Sequence, residues 1–132
     1  MIPHSRPTLG IEEKRACAEV LDSLHIAQGR RVAAFEAMFC DLVGRRYAVA
    51  VSSGTSALIL SLLALGIAKG DAVIVPSYNC VALLHAIHAV GACPTVVDIE
   101  AEDFNIAVSE VKKKISRKTK AIIVPHLFGR PA

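Results

Sequence analysis

The chain has 132 residues, 53% of them hydrophobic and 20% charged, which is one domain's worth of sequence with ample apolar material for a core and excludes a disordered chain. A formal net charge of +3 on scattered Lys and Arg, with an aromatic content of 5%, argues against a nucleic-acid surface. The opening MIPHSRPTLGIEEK has no apolar core like that of a signal peptide and the aliphatic run Ala57 to Leu65 is too short to span a bilayer, so no membrane association and a soluble, cytoplasmic protein are expected.

After an irregular start, Ile11 to Leu24 places Cys17, Val20, Leu21 and Leu24 on one stripe of a helix, with Glu12, Glu13 and Lys14 in its solvated first turn. Gln28-Gly29 interrupts the pattern. Val32, Phe35, Met38, Phe39 and Leu42 resume it as a second amphipathic helix ending near Gly44. Residues 1–46 therefore read as an amino-terminal helical segment.

From Tyr47 the texture changes. The short apolar run Ala48 to Val51 reads as a buried strand, Ser52-Ser53-Gly54-Thr55-Ser56 as a tight turn, and the aliphatic stretch up to Gly66 as a helix. Such a helix start leaves N–H groups without intrahelical partners and carries partial positive charge, while glycine lets a ligand approach the backbone. Gly54, Thr55 and Ser56 are thus candidate phosphate ligands. The alternative is that Ser52 or Ser53 simply caps a buried helix. Neither G-x-x-x-x-G-K-[ST] nor G-x-G-x-x-G occurs anywhere.

Beyond this turn, Ala72 to Val75 is a predicted strand closed by Pro76, and Val81 to Val90 a helix closed by Gly91. Thr95 to Ile99 is the next strand, Val108 to Ile115 a short helix, and Ala121 to Val124 a strand before Pro125. Continuous apolar strands joined by helices imply an α/β fold of three layers, a mostly parallel sheet with helices on both faces. Ligands in such sheets collect at the carboxyl ends of the strands, here Ser52 to Ser56, Ser77 to Cys80, Asp98 with Glu100, and His126.

Other groupings carry less chemistry. His85 and His88 lie at i and i+3 near Cys80, but without a second paired motif they do not make a metal site, and no metal is expected. Asp98 and Glu100 suit a general acid/base pair and equally a solvated strand end. No G-x-S-x-G elbow is present. Lys112, Lys113, Lys114, Arg117, Lys118 and Lys120 read as a solvated helix face and loop. Cys17, Cys40, Cys80 and Cys93 show no C-x-x-C spacing and are expected to be reduced, buried thiols.

As a set, the S-G-T turn, the L-G-I-x-x-G-D loop, the V-P-S segment, G-A-x-P-x-x-x-D, T-K-A-I and the H-L-F-G ending resemble the DegT/StrS family of sugar aminotransferases, from about Phe35-Glu36 to the last residue. The resemblance implies the aspartate-aminotransferase fold, with residues 47–132 the first half of the large domain that binds pyridoxal 5'-phosphate. It implies that Thr55 and Ser56, with Gly54 beside them, hold the cofactor phosphate largely through backbone N–H groups. The family's ring over the cofactor pyridine falls on Cys80, where a thiol replaces it or neighbouring Tyr78 compensates.

The family's pyridine-binding Asp and Schiff-base Lys would both follow Ala132, so no catalytic residue is assigned here and this stretch by itself is not expected to transaminate. Ser109 with Lys113 and Ser116 with Lys120 match the family's serine-to-lysine spacing only by chance. What the resemblance implies is an amino-terminal portion of an enzyme of nucleotide-sugar biosynthesis, moving an amino group from an amino acid, glutamate in the first instance, to a keto-sugar nucleotide, in a homo-oligomer. A non-catalytic module for phosphate-ligand binding or assembly is the alternative, and an α/β domain with no ligand a third. Unpaired strand edges are expected to promote self-association or poor order around Tyr47 to Ser52.

Overall fold

The computed structural model describes residues 5–132, so that the first four residues of the opening MIPHSRPTLGIEEK lie outside the described residues. It contains helices α1 (Ile11–Asp22), α2 (Arg30–Val43), α3 (Gly54–Ala64), α4 (Ala82–Ala89) and α5 (Val108–Lys114), strands β1 (Ala72–Pro76), β2 (Cys93–Val97) and β3 (Thr119–Ile122), and one 3-10 turn at Leu127–Gly129. Two compact units divide it, Met1–Ala50 and Val51–Ala132.

In the first unit, Glu13 reaches back to the Gly10 N–H at 2.6 Å at the start of α1. α2 stops at Gly44, whose φ of 63° is the left-handed value that favours glycine after a helix. Arg31 and Glu19 pair across the two helices. Phe35, Met38, Phe39 and Leu42, the apolar stripe expected on α2, are exposed.

The second unit is organised by β1. It pairs in parallel with β2 on one side and β3 on the other, giving the order β2-β1-β3. Side chains of a strand alternate between faces, and each face of β1 meets its own layer. Val73 and Val75 pack with Leu62 of α3 and Leu83, Ala86 and Ile87 of α4. Ile74 packs on the opposite face with Val97, Ile106 and Val111 of α5. The expected three layers are therefore present, with helices on both faces. Val73, Ile74 and Val75 have no exposed surface.

Three expectations need correction. Tyr47 to Val51 forms no strand: the backbone there pairs with no other strand, and the Ala50 N–H is instead satisfied by the Glu36 carboxylate at 2.8 Å. A strand exists only through a pairing partner, and among the described residues none pairs with this run. β2 and β3 lie two residues earlier at both ends than the expected Thr95 to Ile99 and Ala121 to Val124, because pairing with β1 sets their bounds: Ala72 stands opposite Cys93 and Thr119. The cysteines are not buried: Cys17, Cys80 and Cys93 are exposed and Cys40 is intermediate, and none of the four belongs to either apolar cluster, since small apolar character does not by itself place a thiol in a core.

Because Ile74 links β1 to the α5 layer, Ile74→Ala is expected to destabilise the second unit by about 2–5 kcal/mol, seen as a lower urea midpoint.

Candidate functional site

α3 runs back toward the amino end of β1, to which a short loop through Gly66 and Gly70 joins it, so α3 begins on the side where the strands end. Its first turn is capped. Ser53 adopts extended backbone angles and its Oγ accepts the Ser56 N–H at 3.0 Å. Ser56 Oγ lies 2.9 Å from Ser53 Oγ and 3.3 Å from Ser52 Oγ, so three hydroxyls gather at one helix start. The capping alternative is thus real, and it leaves the N–H groups of Gly54 and Thr55 without intrahelical acceptors.

Gly54 is not demanded by the backbone. It has no positive φ, and a Cβ built on it would meet nothing within 4 Å. The space beside the helix start is open, as an incoming phosphate would require. Thr55 and Ser56 are half-buried on the same turn.

Cys80 sits exposed in the loop between β1 and α4, its carbonyl accepting the Leu83 N–H at 3.1 Å. α3 and α4 pack side by side in one apolar cluster, and α4 also begins at the carboxyl end of β1, so Cys80 and the Ser53 turn belong to the same edge of the unit. Tyr78 is half-exposed and clusters with two other rings, 5.6 Å from Phe104 and 6.5 Å from Phe128, centroid to centroid. Sequence reading did not anticipate this cluster, because its three rings come from three separate loops.

The remaining strand ends are polar. Ser77 Oγ donates to Asp98 Oδ1 at 3.5 Å, and the same oxygen accepts the Ile99 N–H at 2.8 Å, which turns Asp98 into a loop-holding residue. Glu100 is exposed. His126 accepts the Ala132 N–H through Nδ1 at 3.1 Å. Among the described residues no group of three or more His, Cys, Asp or Glu gathers as metal ligands would, and His85 and His88 are exposed on α4. The basic residues from Lys112 to Lys120 are exposed, Lys113 pairing with Glu110 at 2.5 Å.

An open parallel sheet with helices on both faces, and a capped helix start at its carboxyl edge, has the architecture of the aspartate-aminotransferase fold. The chain belongs to the DegT/DnrJ/EryC1/StrS aminotransferase family, whose model matches residues 7–132.

Solved structures agree. A Streptococcus pneumoniae protein described as a sugar aminotransferase, in its PMP form, superposes with a TM-score of 0.96 at 33% identity, over 99% of this chain and 33% of its own. DesV of S. venezuelae, solved with a ketimine intermediate, gives 0.89 at 39% identity over 92% of this chain and 33% of its own. The E. coli GDP-4-keto-6-deoxy-D-mannose-3-dehydratase with hydrated PLP gives 0.90 at 32% identity, over 98% and 35%. The chain thus spans about a third of the length of the structures it matches.

At the same edge, Asp103 is held below the usual carboxylate range, chiefly by the hydrogen bond from the Asn105 N–H, with the Asn105 side chain and the Arg130 charge assisting against desolvation. Its folded pKa lies under the unfolded one, so its contribution is complete above the ordinary aspartate value and is lost as pH falls through the folded value. Asp103→Asn is expected to flatten the acid limb of stability, measured as thermal midpoint against pH below about pH 4.

Proposed function

We propose that this chain is the amino-terminal part of a pyridoxal-phosphate-dependent sugar aminotransferase, and that its share of the work is to bind the cofactor phosphate. The observation that carries the reading is the Ser53-capped start of α3, with the Gly54 and Thr55 N–H groups unpaired beside open space. The helix end offers partial positive charge and two directed donors to a dianion, and the Thr55 and Ser56 hydroxyls add polar contacts. Ser56 joins through its hydroxyl, since its N–H serves the cap.

The residues fit the phosphate end of the cofactor. Bound there, pyridoxal phosphate supplies an electron sink for the pair left on an amino-acid carbon after proton loss. Cys80, exposed at the head of α4, would face the ring with a polarizable sulfur in place of an aromatic plane. The stretch supplies no Schiff-base lysine or pyridine-binding aspartate and does not transaminate by itself. Whole-protein substrates follow the family: an amino-acid donor, glutamate, and a keto-sugar nucleotide, handled in the cytoplasm by a homodimer. Residues 1–46 form its amino-terminal helical segment and 47–132 the first half of the cofactor-binding domain.

Gly54→Asp separates this role from the fold. A carboxylate in the first turn suits the helix dipole, so stability should be kept, but it repels a phosphate. With the downstream region present, pyridoxal phosphate titrated by absorbance should bind at least about tenfold more weakly, a loss of roughly 1.4 kcal/mol. Unchanged affinity removes this turn from the site. For residues 1–132 alone, borohydride reduction after adding pyridoxal phosphate should leave no single lysine labelled by peptide mapping. Full labelling at one lysine would place the covalent attachment within this stretch.

A further inference from the structure

Among the described residues Asn105 is the one buried polar side chain, 4% exposed, and it joins two loops. Its N–H donates to Asp103 Oδ1 at 3.0 Å and its carbonyl accepts the Glu100 N–H at 2.9 Å, closing the loop after β2. Its Nδ2 donates to Asp103 Oδ2 and to the Pro131 carbonyl, both at 3.3 Å, so one amide ties that loop to the segment after β3. Arg130 Nε stands 3.6 Å from the same Asp103 oxygen.

The other half of the junction is aromatic. Tyr78, Phe104 and Phe128 come from the loops after β1, β2 and β3, and the Phe104 and Phe128 rings meet edge-on at 6.3 Å. Both phenylalanines carry left-handed backbone angles, φ 62° and 53°, uncommon for bulky residues, and both rings keep exposed surface. Asn105 Oδ1 is buried without a partner. A leucine of similar size would remove that unpaired acceptor, so packing alone does not account for an asparagine here. Its two-way donor does.

We propose that Asn105 is a positioning residue that, by its bonds to Asp103 and Pro131 and alongside the three rings, holds the His126–Gly129 turn at the carboxyl edge of the sheet before any ligand arrives. Tyr78 is part of this clamp, which keeps its ring with Phe104 and Phe128. The inference rests on the clamp's geometry and not on the cofactor reading, so either stands if the other fails.

The test is hydrogen exchange of the full chain, without cofactor. The Gly129, Arg130 and Ala132 N–H groups are bonded to His126 and Leu127 and report on the turn directly. Asn105→Leu should speed exchange across residues 126–132 at least tenfold and reduce the near-ultraviolet circular dichroism of Tyr78, recorded in a Tyr47→Phe background. Val73 to Val75 should exchange as before. Tyr78→Ala should loosen the same segment and Tyr78→Phe, which keeps the ring, should restore it. Unchanged exchange at 126–132 in Asn105→Leu, or an equal rise in β1, overturns the proposal. If Asn105→Leu does not fold, Asn105→Ser, which removes the same Nδ2 donor, decides by the same criteria.

Discussion

The second unit depends on one constraint, the complete burial of β1 between two helix layers. A strand with Val73 and Val75 on one face and Ile74 on the other cannot leave either side to water without exposing β-branched surface, at a cost of roughly 1.5–3 kcal/mol per side chain. α3 and α4 cover one face and α5 the other. Parallel pairing follows, because each connection between these strands contains a helix that must return across the sheet.

That arrangement decides where chemistry can occur. Helices that return across a parallel sheet begin where the strands end, so the partial positive charge of α3 and the loops after β1, β2 and β3 come to one edge. Backbone N–H groups, hydroxyls and a thiol then become neighbours of that edge without any one stretch of sequence holding them all. The polar groups not offered to a ligand are spent on holding loops: Asp98 on Ser77 and Ile99, Asp103 on Asn105 and Arg130.

Much of this was legible in the residues. The apolar runs Ala72 to Val75 and Thr95 to Ile99 indicated β1 and β2 to within two residues, and the aliphatic segment after Ser53-Gly54 indicated α3. The candidate phosphate turn was visible because capping chemistry is local: a serine and the N–H three residues on need no distant partner. Ala48 to Val51 misled because strand composition was present while the pairing partner that makes a strand was not. The cysteines misled for a related reason: apolar character favours burial, but only position relative to the clusters grants it.

The sequence by itself determined the helix stripes, the parallel α/β class, the capped start of α3 and the family motifs in their order, since each is set by neighbours within a few residues. The tertiary structure alone decided which strand lies at the centre, that Tyr78, Phe104 and Phe128 meet, and that Asn105 reaches Pro131 across 26 residues of chain. Those outcomes depend on how three loops converge at one sheet edge, a distance that no local periodicity encodes.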